Sequence, residues 1–244
     1  KFFWKNKVKS KVNLPETRNY EHVFYMKYYS LILLLVFLFG MSGQSVTKET
    51  GLLQLIQEQY QNIRSFSGHF IQTSHRANTE TGPRKAEGRV SYKRPGKMRW
   101  LYEAPEEQLL VTNGETLWLF DPLLENVTIQ KLEKLTDGTA LSFLLGLGDL
   151  RSDFLRREIS QILLENVDGL IVELEPKKTS ANLAFIQLEV HPETYDLQKI
   201  ALMDQQGNSR TITLESMQYN LALKDDIFEF KVTPEMEVIE DRKQ

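Results

Sequence analysis

Hydrophobic positions along the chain follow two different periods. Between residues 52 and 63 they recur at helical spacing, with Leu52, Leu55, Ile56, Gln59 and Ile63 on one face and Gln57 elsewhere on the cylinder, which predicts an amphipathic helix. From residue 65 onward apolar and polar positions alternate, which is typical of β-strands. Strands are predicted at 65–75, 84–94, 97–103, 107–112, 115–120, 126–132, 159–166, 169–175, 183–191, 196–204 and 209–219.

The links between these strands are short, which favours an antiparallel meander. Asn113-Gly114, between two apolar runs, is a strong signal for a two-residue hairpin turn. A leucine-rich stretch at 137–157 interrupts the strands and predicts two short helices that are split at 146–148. Because many antiparallel strands must close or cover their edges, the predicted fold class is α+β: an incomplete antiparallel β-barrel of about 11 strands, with a lid of short α-helices over a hydrophobic cavity.

The N-terminal part of the sequence has the layout of a secretory signal peptide. Residues 26–45 combine a basic start, an apolar run from Leu31 to Phe39 and small residues up to Ser45, where cleavage is expected. An uncleaved N-terminal anchor is the alternative. Residues 1–25 begin with Lys1 rather than Met and are interpreted as an upstream extension. Residues 46–244 are then predicted to form a single domain.

Charge and cysteine content narrow the class of protein. The net charge is −3 at pH 7, and removal of residues 1–45 leaves 23 basic and 31 acidic residues, a net charge of −8. Such an acidic domain is a poor binder of nucleic acid. The sequence contains no cysteine, which excludes disulfides, thiol catalysis, thiolate metal sites and a lipid-modified N-terminus. The domain is therefore expected to be free in an exported compartment.

No motif for catalysis or for metal binding is found. The sequence has no nucleophile elbow, metalloprotease helix, phosphate-binding glycine loop or dinucleotide fingerprint. His69 and His75 lie on one strand face but six residues apart, roughly 20 Å along an extended chain, too far to bind one metal ion. No catalytic residue, metal or cofactor is therefore predicted.

A basic cluster at residues 84–99 is interleaved with aromatic side chains. Strand alternation places most of these cations opposite Tyr92, Trp100 and Tyr102, which favours a solvated outer face over a nucleic-acid platform. A basic rim on an acidic protein could still dock an acidic partner. The residues predicted for this docking rim are Arg89, Lys93, Lys97 and Arg99.

Arg94 is the exception to this alternation. It falls on the same strand face as Val90 and Tyr92, so the strand pattern places a guanidinium on the apolar side. Two interpretations follow from this position. The side chain either donates to the C-terminal carbonyls of a short helix, or it reaches solvent at the strand edge beside Pro95.

Four segments, in order, make the sequence similar to one known family. "SFSGHFIQT", "EGRVSYKRPGKMRWLYEAPEEQLLVTNGETLWLFDP", "VTIQKL" and "FEFKVTPEMEVIED" resemble the LolA family of periplasmic carriers of outer-membrane lipoproteins. The resemblance covers essentially all of residues 46–244 and is most specific between Gly88 and Pro122. It implies an incomplete barrel with a lid of three short helices that encloses acyl chains, which agrees with the fold predicted above.

The resemblance also implies a role and partners. The chain would be a periplasmic, non-enzymatic and monomeric chaperone that receives acylated lipoproteins from an inner-membrane ABC transporter and delivers them to an outer-membrane receptor. Arg94 would hold the lid closed in the empty carrier. A lipid- or lipoprotein-sensing regulatory module of the same fold is the alternative, and the receptor itself is a third candidate. The residues expected to line the acyl-chain cavity are Val90, Tyr92, Met98, Trp100, Leu117, Leu119, Leu141, Leu144 and Leu145; in 115–120, Trp118 and Phe120 could face inward instead.

Overall fold

The structure is a computed structural model that describes residues 44–80, 82–134, 145, 148–178 and 183–240. Contacts divide the chain into two compact units, Lys1–Glu49 and Thr50–Gln244, and the sheet belongs to the second. Nearly all of the predicted signal peptide lies outside the described residues, as do Leu141 and Leu144. None of the helices in the described ranges is long and apolar enough to cross a bilayer.

Strands dominate the described residues. Helix α1 (Gln44–Asn62) precedes them, and a four-residue helix α2 (Leu150–Asp153) lies between the sixth and seventh strands. Short 3-10 turns occur at Leu132–Lys134 and Asp225–Phe228. The strands are β1 (Ser65–His75), β2 (Arg84–Lys93), β3 (Lys97–Ala104), β4 (Gln108–Asn113), β5 (Thr116–Asp121), β6 (Asn126–Lys131), β7 (Phe154–Arg157), β8 (Leu170–Pro176), β9 (Phe185–Val190), β10 (Leu197–Met203), β11 (Ser209–Tyr219) and β12 (Glu237–Glu240).

All twelve strands form one open sheet in the order β12-β6-β5-β4-β3-β2-β1-β11-β10-β9-β8-β7. Two antiparallel meanders, β1 to β6 and β7 to β11, meet where β1 pairs with β11. The end strands β12 and β7 do not pair, so the barrel is incomplete, as predicted from the sequence. The twelfth strand was not predicted: β12 adds to β6 in parallel orientation and extends the first meander.

One face of this sheet, here called the inner face, carries the main hydrophobic core. Alternation along β2 and β3 buries Val90, Tyr92, Met98 and Trp100 on this side, and the second meander contributes side chains such as Leu188 to the same cluster. Helix α1 packs against the cluster. Since the two meanders bury apolar side chains against one helix, their inner faces share a single core.

Helix α1 is rotated relative to the face predicted from its sequence. Leu53 and Tyr60 are buried together with Ile56 and Ile63, whereas Leu55 is 40 % exposed. Gln57, placed on the outer side by the sequence pattern, is also buried. The prediction was right for Ile56 and Ile63 but wrong for Leu55 and Gln57. The helix turns so that Tyr60 packs in the core, where its ring lies 6.1 Å from that of Tyr92.

The opposite face of the sheet, here called the outer face, is partly covered by the C-terminal segment. Val111 and Val127 are fully buried on this side, with the fully buried Phe228 of the 3-10 turn. The ring of Phe230 lies 5.2 Å from that of Phe120. Apolar side chains therefore occupy both faces of β4 and β5, which obscures their alternation in the sequence.

Residues 158–169 do not form the strand that was predicted at 159–166. A different strand, β7, forms just before them, in a region that was predicted to be helical. The segment crosses the outer face, where its backbone bonds to buried side chains. Gln187 accepts from the Leu163 amide at 2.9 Å, and Glu189 accepts from the Asp168 amide at 3.0 Å. These long-range acceptors replace the hydrogen bonds of a strand ladder.

Candidate functional site

The inner face beneath helix α1 is the largest apolar environment among the described residues. Its centre is aromatic: the ring of Tyr92 stacks on Phe66 at 5.0 Å, and that of Phe70 lies 4.5 Å from Trp100. Residues of the sheet thus form a continuous apolar surface against which a helix, or another apolar group of similar width, can pack.

Side chains almost fill the space between α1 and the sheet. The cavity that remains has a volume of about 20 Å³, enough for a single water molecule. Its walls come from the helix and from both meanders: Tyr60, Ile63, Phe66, Met98, Trp100, Leu197, Ile200, Leu214, Met217 and Tyr219. Among the described residues, the space directly beneath α1 is therefore closed, and an apolar ligand larger than a few atoms can enter that space only if part of this packing opens.

Arg94 lies where β2 leaves the sheet and meets the end of helix α1. Its Nη2 atom donates to the carbonyl oxygen of Tyr60 at 3.0 Å, and its Nε atom donates to that of Ile63 at 3.3 Å. Its backbone amide also donates to the carbonyl oxygen of Arg64 at 2.8 Å. The last carbonyls of a helix have no partners within the helix, and the negative end of the helix dipole favours a cation there. The half-buried guanidinium thus fixes the end of α1 to the sheet.

Two further bonds connect the core to residues 145–150. The hydroxyl of Tyr92 donates to the carbonyl oxygen of Leu145 at 3.3 Å, and the backbone amide of Leu150 donates to the side-chain oxygen of Gln57 at 2.9 Å. Leu145 and Leu150 are both fully buried. Gln57 was missed by the sequence analysis, although it follows Leu53 by four residues and therefore lies on the buried side of α1.

The residues predicted to line a cavity lie largely where the strand pattern places them. Val90, Tyr92, Met98 and Trp100 belong to the core cluster, and Leu145 packs there as well.

The pairing of β3, β4 and β5 shows which side chains of β5 point to the inner face. Leu117 pairs with Thr112 and Leu119 with Leu110, while Leu110 pairs with Trp100, so the two leucines share the inner face with that tryptophan. Leu117 is buried and Leu119 is 44 % exposed, so the apolar surface continues to the rim of the sheet. Trp118 and Phe120 lie on the outer face.

The residues of the predicted docking rim contact other parts of this chain. Lys93 and Lys97 both bind the carboxylate of Asp225, at 2.7 and 3.2 Å, and hydrogen bonds from these two lysines lower the pKa of that carboxyl. Arg99 donates to the carbonyl oxygen of Ile227 at 3.4 Å. Three of the four cations therefore hold the C-terminal segment against the outer face.

The remaining residue of the docking rim, Arg89, forms an exposed ion pair with Glu103 at 2.6 Å. A role of the rim in docking a partner remains a prediction.

Tyrosines around the core are held in the neutral form. Burial raises the pKa of Tyr60 and of Tyr92, and the positive charge of Arg94 opposes both shifts. Burial, reinforced by the charge of Asp196, raises the pKa of Tyr219 to about 12. Their hydroxyls therefore remain protonated at neutral pH, as required for the bond from Tyr92 to Leu145.

Across the described part of the chain, no group of three or more His, Cys, Asp or Glu side chains is arranged to hold a metal ion. What the geometry offers instead is an apolar face, a helix that covers it and a cation that holds the helix.

Comparison with known proteins gives consistent matches. Residues 61–231 match the family model described as "Outer membrane lipoprotein carrier protein LolA". An outer-membrane lipoprotein carrier protein of Nitrosospira multiformis is 31% identical over 207 residues, which are 84% of this chain and 95% of that protein. The protein of the same name from Legionella pneumophila (strain Corby) is 30% identical over 210 residues, 86% of this chain and 96% of the relative. A crystal structure of a LolA superfamily protein from Nitrosomonas europaea is similar with a TM-score of 0.40 at 16% identity, covering 72% of this chain and 97% of that one.

Proposed function

Because the chain belongs to the LolA family of outer membrane lipoprotein carrier proteins, we propose that it carries lipoproteins through the periplasm with their acyl chains packed on the inner face of the sheet. The observation that supports this most directly is the covered apolar face itself, closed by α1 and by Arg94. LolA-family carriers are chaperones and not enzymes, so the function proposed is binding and release without chemistry.

The energy of acyl-chain burial explains why such a carrier is needed. Each buried methylene group contributes about 0.8 kcal/mol, so one chain of ~16 carbons is stabilised by on the order of 12 kcal/mol when it leaves water. A lipoprotein with several such chains would not cross an aqueous compartment uncovered. The inner face supplies leucine, methionine and aromatic side chains to shield them.

The closed interior sets a requirement for loading. Because the cavity of about 20 Å³ beneath α1 is far too small for an acyl chain, α1 must move away from the sheet for cargo to occupy that space. That movement breaks the bonds from Arg94 to Tyr60 and Ile63, and these bonds re-form when cargo leaves. Closure of the empty carrier therefore offsets part of the binding energy and favours delivery.

The partners follow from this cycle. An ABC transporter of the inner membrane would supply the energy for loading, and a receptor on the outer membrane would accept the cargo. Export would depend on the predicted signal peptide, with cleavage near Ser45. Arg89, Lys93, Lys97 and Arg99 would be docking residues if the C-terminal segment that covers three of them is displaced.

A release assay tests the proposal. Spheroplasts that contain labelled, newly made lipoprotein are mixed with purified residues 46–244, either unchanged or carrying Arg94→Leu. The unchanged protein should bring lipoprotein into the soluble fraction as a one-to-one complex. A lipoprotein that lacks its acylated cysteine should stay behind. The Arg94→Leu variant should load but transfer its cargo poorly to outer membranes, since closure no longer favours release.

Arg64→Leu is the matched control, because Arg64 is exposed and lies next to the same helix end. It should load and transfer like the unchanged protein. If the unchanged protein releases no lipoprotein, the carrier proposal is wrong, and a regulatory module that senses lipid would be tested next by a search for a signalling partner. If Arg94→Leu and Arg64→Leu transfer equally well, the proposed role of Arg94 is wrong while the carrier function stands.

A further inference from the structure

A large groove lies at the end of the sheet opposite Arg94. Its volume is about 850 Å³, within the range of roughly 300–1,000 Å³ that is usual for small-molecule sites. The end of β1, the start of β2, the end of β3 and the start of β11 form its walls. Since Arg84 begins β2 and Arg94 directly follows its last residue, the groove lies about 30 Å along the strand from the end of α1.

Two arginines flank one serine at this groove. Ser74 on β1 pairs with Arg84 on β2 and with Arg210 on β11. Directly opposed residues of antiparallel strands point to the same face, and alternation from the buried Phe70 places Ser74 on the inner side. With neighbouring strands about 4.8 Å apart, the α-carbons of the two arginines lie on the order of 10 Å from each other. A phosphate group fits between their side chains.

The charge of the groove contrasts with that of the chain. Among the described residues, four cations line it, Arg76, Arg84, Lys85 and Arg210, against two carboxylates, Glu106 and Asp204, whereas the chain as a whole has a net charge of −3. The Asp204 carboxylate already accepts hydrogen bonds within its own turn, from the Asn208 side chain at 2.6 Å and from the Gln206 amide at 2.9 Å. The groove therefore presents a surplus of positive charge.

The floor of the groove is apolar. Leu110, Leu119 and Leu202 line it together with the ring of Tyr102, which packs edge-on against Phe70 at 5.0 Å. The floor is thus continuous with the core of the inner face.

Tyr102 connects the apolar floor to the cations. Its hydroxyl donates to the side-chain oxygen of Gln72 at 3.0 Å. Burial raises the pKa of Tyr102, and the positive charge of Arg210 partly opposes this shift. One end of the groove is therefore cationic, and its floor is apolar.

We propose that this groove binds one anionic phospholipid, with its phosphate between Arg84 and Arg210 beside Ser74 and with an alkyl chain along Tyr102, Leu110 and Leu119. Arginine suits the phosphate because its guanidinium donates paired hydrogen bonds to two oxygens. The apolar floor favours a lipid over a free phosphate ion. The proposal rests on the carrier function, because the floor belongs to the inner face on which acyl chains are proposed to pack. It adds to that function a phosphate site, at the end of the sheet away from the end of α1.

Binding of dispersed lysophosphatidylglycerol to the full purified protein tests this proposal, with calorimetry for affinity and native mass spectrometry for stoichiometry. One equivalent should bind, at least about tenfold more tightly than lysophosphatidylcholine. Arg84→Ala/Arg210→Ala should weaken binding by at least about tenfold, and Arg84→Lys/Arg210→Lys should restore part of it. Arg151→Ala/Lys178→Ala removes two exposed cations elsewhere and should leave the affinity unchanged. Leu119→Gln should weaken binding of the lipid.

Four results would overturn the proposal. Equal binding of the two lysolipids, or equal affinities of the two double alanine variants, would exclude a phosphate site at these arginines. Inorganic phosphate that binds as tightly as the lysolipid would show a site for small anions. Binding that is unaffected by Arg84→Ala/Arg210→Ala and by Leu119→Gln, but is lost when acylated lipoprotein is loaded, would place the lipid under α1, which would leave the carrier proposal intact.

Discussion

The hydroxyl of Tyr92 lies 3.3 Å from the carbonyl oxygen of Leu145, and this contact joins the centre of the sheet to the segment that precedes α2. The same ring stacks on Phe66, so one residue both packs in the core and holds a neighbouring segment against it. The hydroxyl and the ring can therefore be separated by mutation.

Tyr92→Phe should keep the stacked ring and lose only this hydrogen bond. We expect a loss of about 0.5–1.5 kcal/mol in the free energy of unfolding, together with faster hydrogen exchange in residues 148–153. Urea denaturation and exchange measured by mass spectrometry test this. Tyr102→Phe is the control, because its hydroxyl bonds to Gln72 within the sheet and its loss should leave exchange in 148–153 unchanged.

Stability should fall at alkaline pH. The folded protein holds the proton of Tyr219 up to a pKa of about 12, and burial raises the pKa of Tyr60 and of Tyr92 as well. In the unfolded chain tyrosine titrates near pH 10, so above that pH unfolding releases protons and is favoured. The stabilisation is complete below about pH 10 and is lost as the pH rises towards 12.

The free energy of unfolding in urea, measured between about pH 8 and 11.5, tests this pH dependence. Tyr219→Phe should make the decline above pH 10 shallower. An unchanged free energy across that range in the unmodified protein would contradict the expected shift.

Gly88 is required by the close approach of β2 and β3. A Cβ atom at this position would clash with the backbone oxygen of Leu101 and would lie 2.9 Å from the α-carbon of Tyr102. Gly88→Ala should therefore cost about 1–3 kcal/mol or more, because backbone on the neighbouring strand has to shift. Gly51→Ala in α1 is the matched control: a Cβ there meets nothing within 4 Å, and better helix propensity should raise the unfolding free energy by about 0.5–1 kcal/mol. Thermal and urea unfolding should show a lower free energy of unfolding for Gly88→Ala and a higher one for Gly51→Ala.

Phe228 anchors the C-terminal segment to the outer face. Its side chain is fully buried, so Phe228→Ala should cost about 3–5 kcal/mol and expose residues 220–236 to proteolysis. Val232→Ala, at a residue that is 40 % exposed, should change the unfolding free energy by less than about 0.5 kcal/mol. Equal proteolysis rates of the two variants would show that Phe228 does not hold the segment.

Where apolar and polar residues alternate clearly within one segment, the sequence correctly predicted a strand. Residues 65–75 were expected as a strand and form β1 over that range, and Arg94 follows Val90 and Tyr92 on the inner side of the sheet. Residue type and position left two interpretations of Arg94 open, and the structure shows the first, donation to the carbonyls at a helix end. Which helix supplies those carbonyls depends on tertiary structure, as does the orientation of α1.

The incorrect predictions concern segments whose partners lie far away in the sequence. Residues 159–166 alternate like a strand, yet the Leu163 amide donates to the side chain of Gln187, 24 positions further along the chain. The pairing of β7 with β8, rather than a helical period, determines the conformation of residues 154–157. The groove at Arg84 and Arg210 escaped prediction for the same reason, because only the sheet brings β2 and β11 to either side of β1.

That pairing of β1 with β11 also has a consequence for how the chain folds. Phe66 on β1 pairs with Tyr219 on β11. Strand β1 is therefore synthesised early, but its partner β11 is synthesised only near the end of the chain. Contacts of such long sequence separation slow folding, since a large loop must close before they form. We expect the inner face to assemble only after nearly the whole domain has been released into the compartment where it folds, and the first meander to expose its apolar side until then.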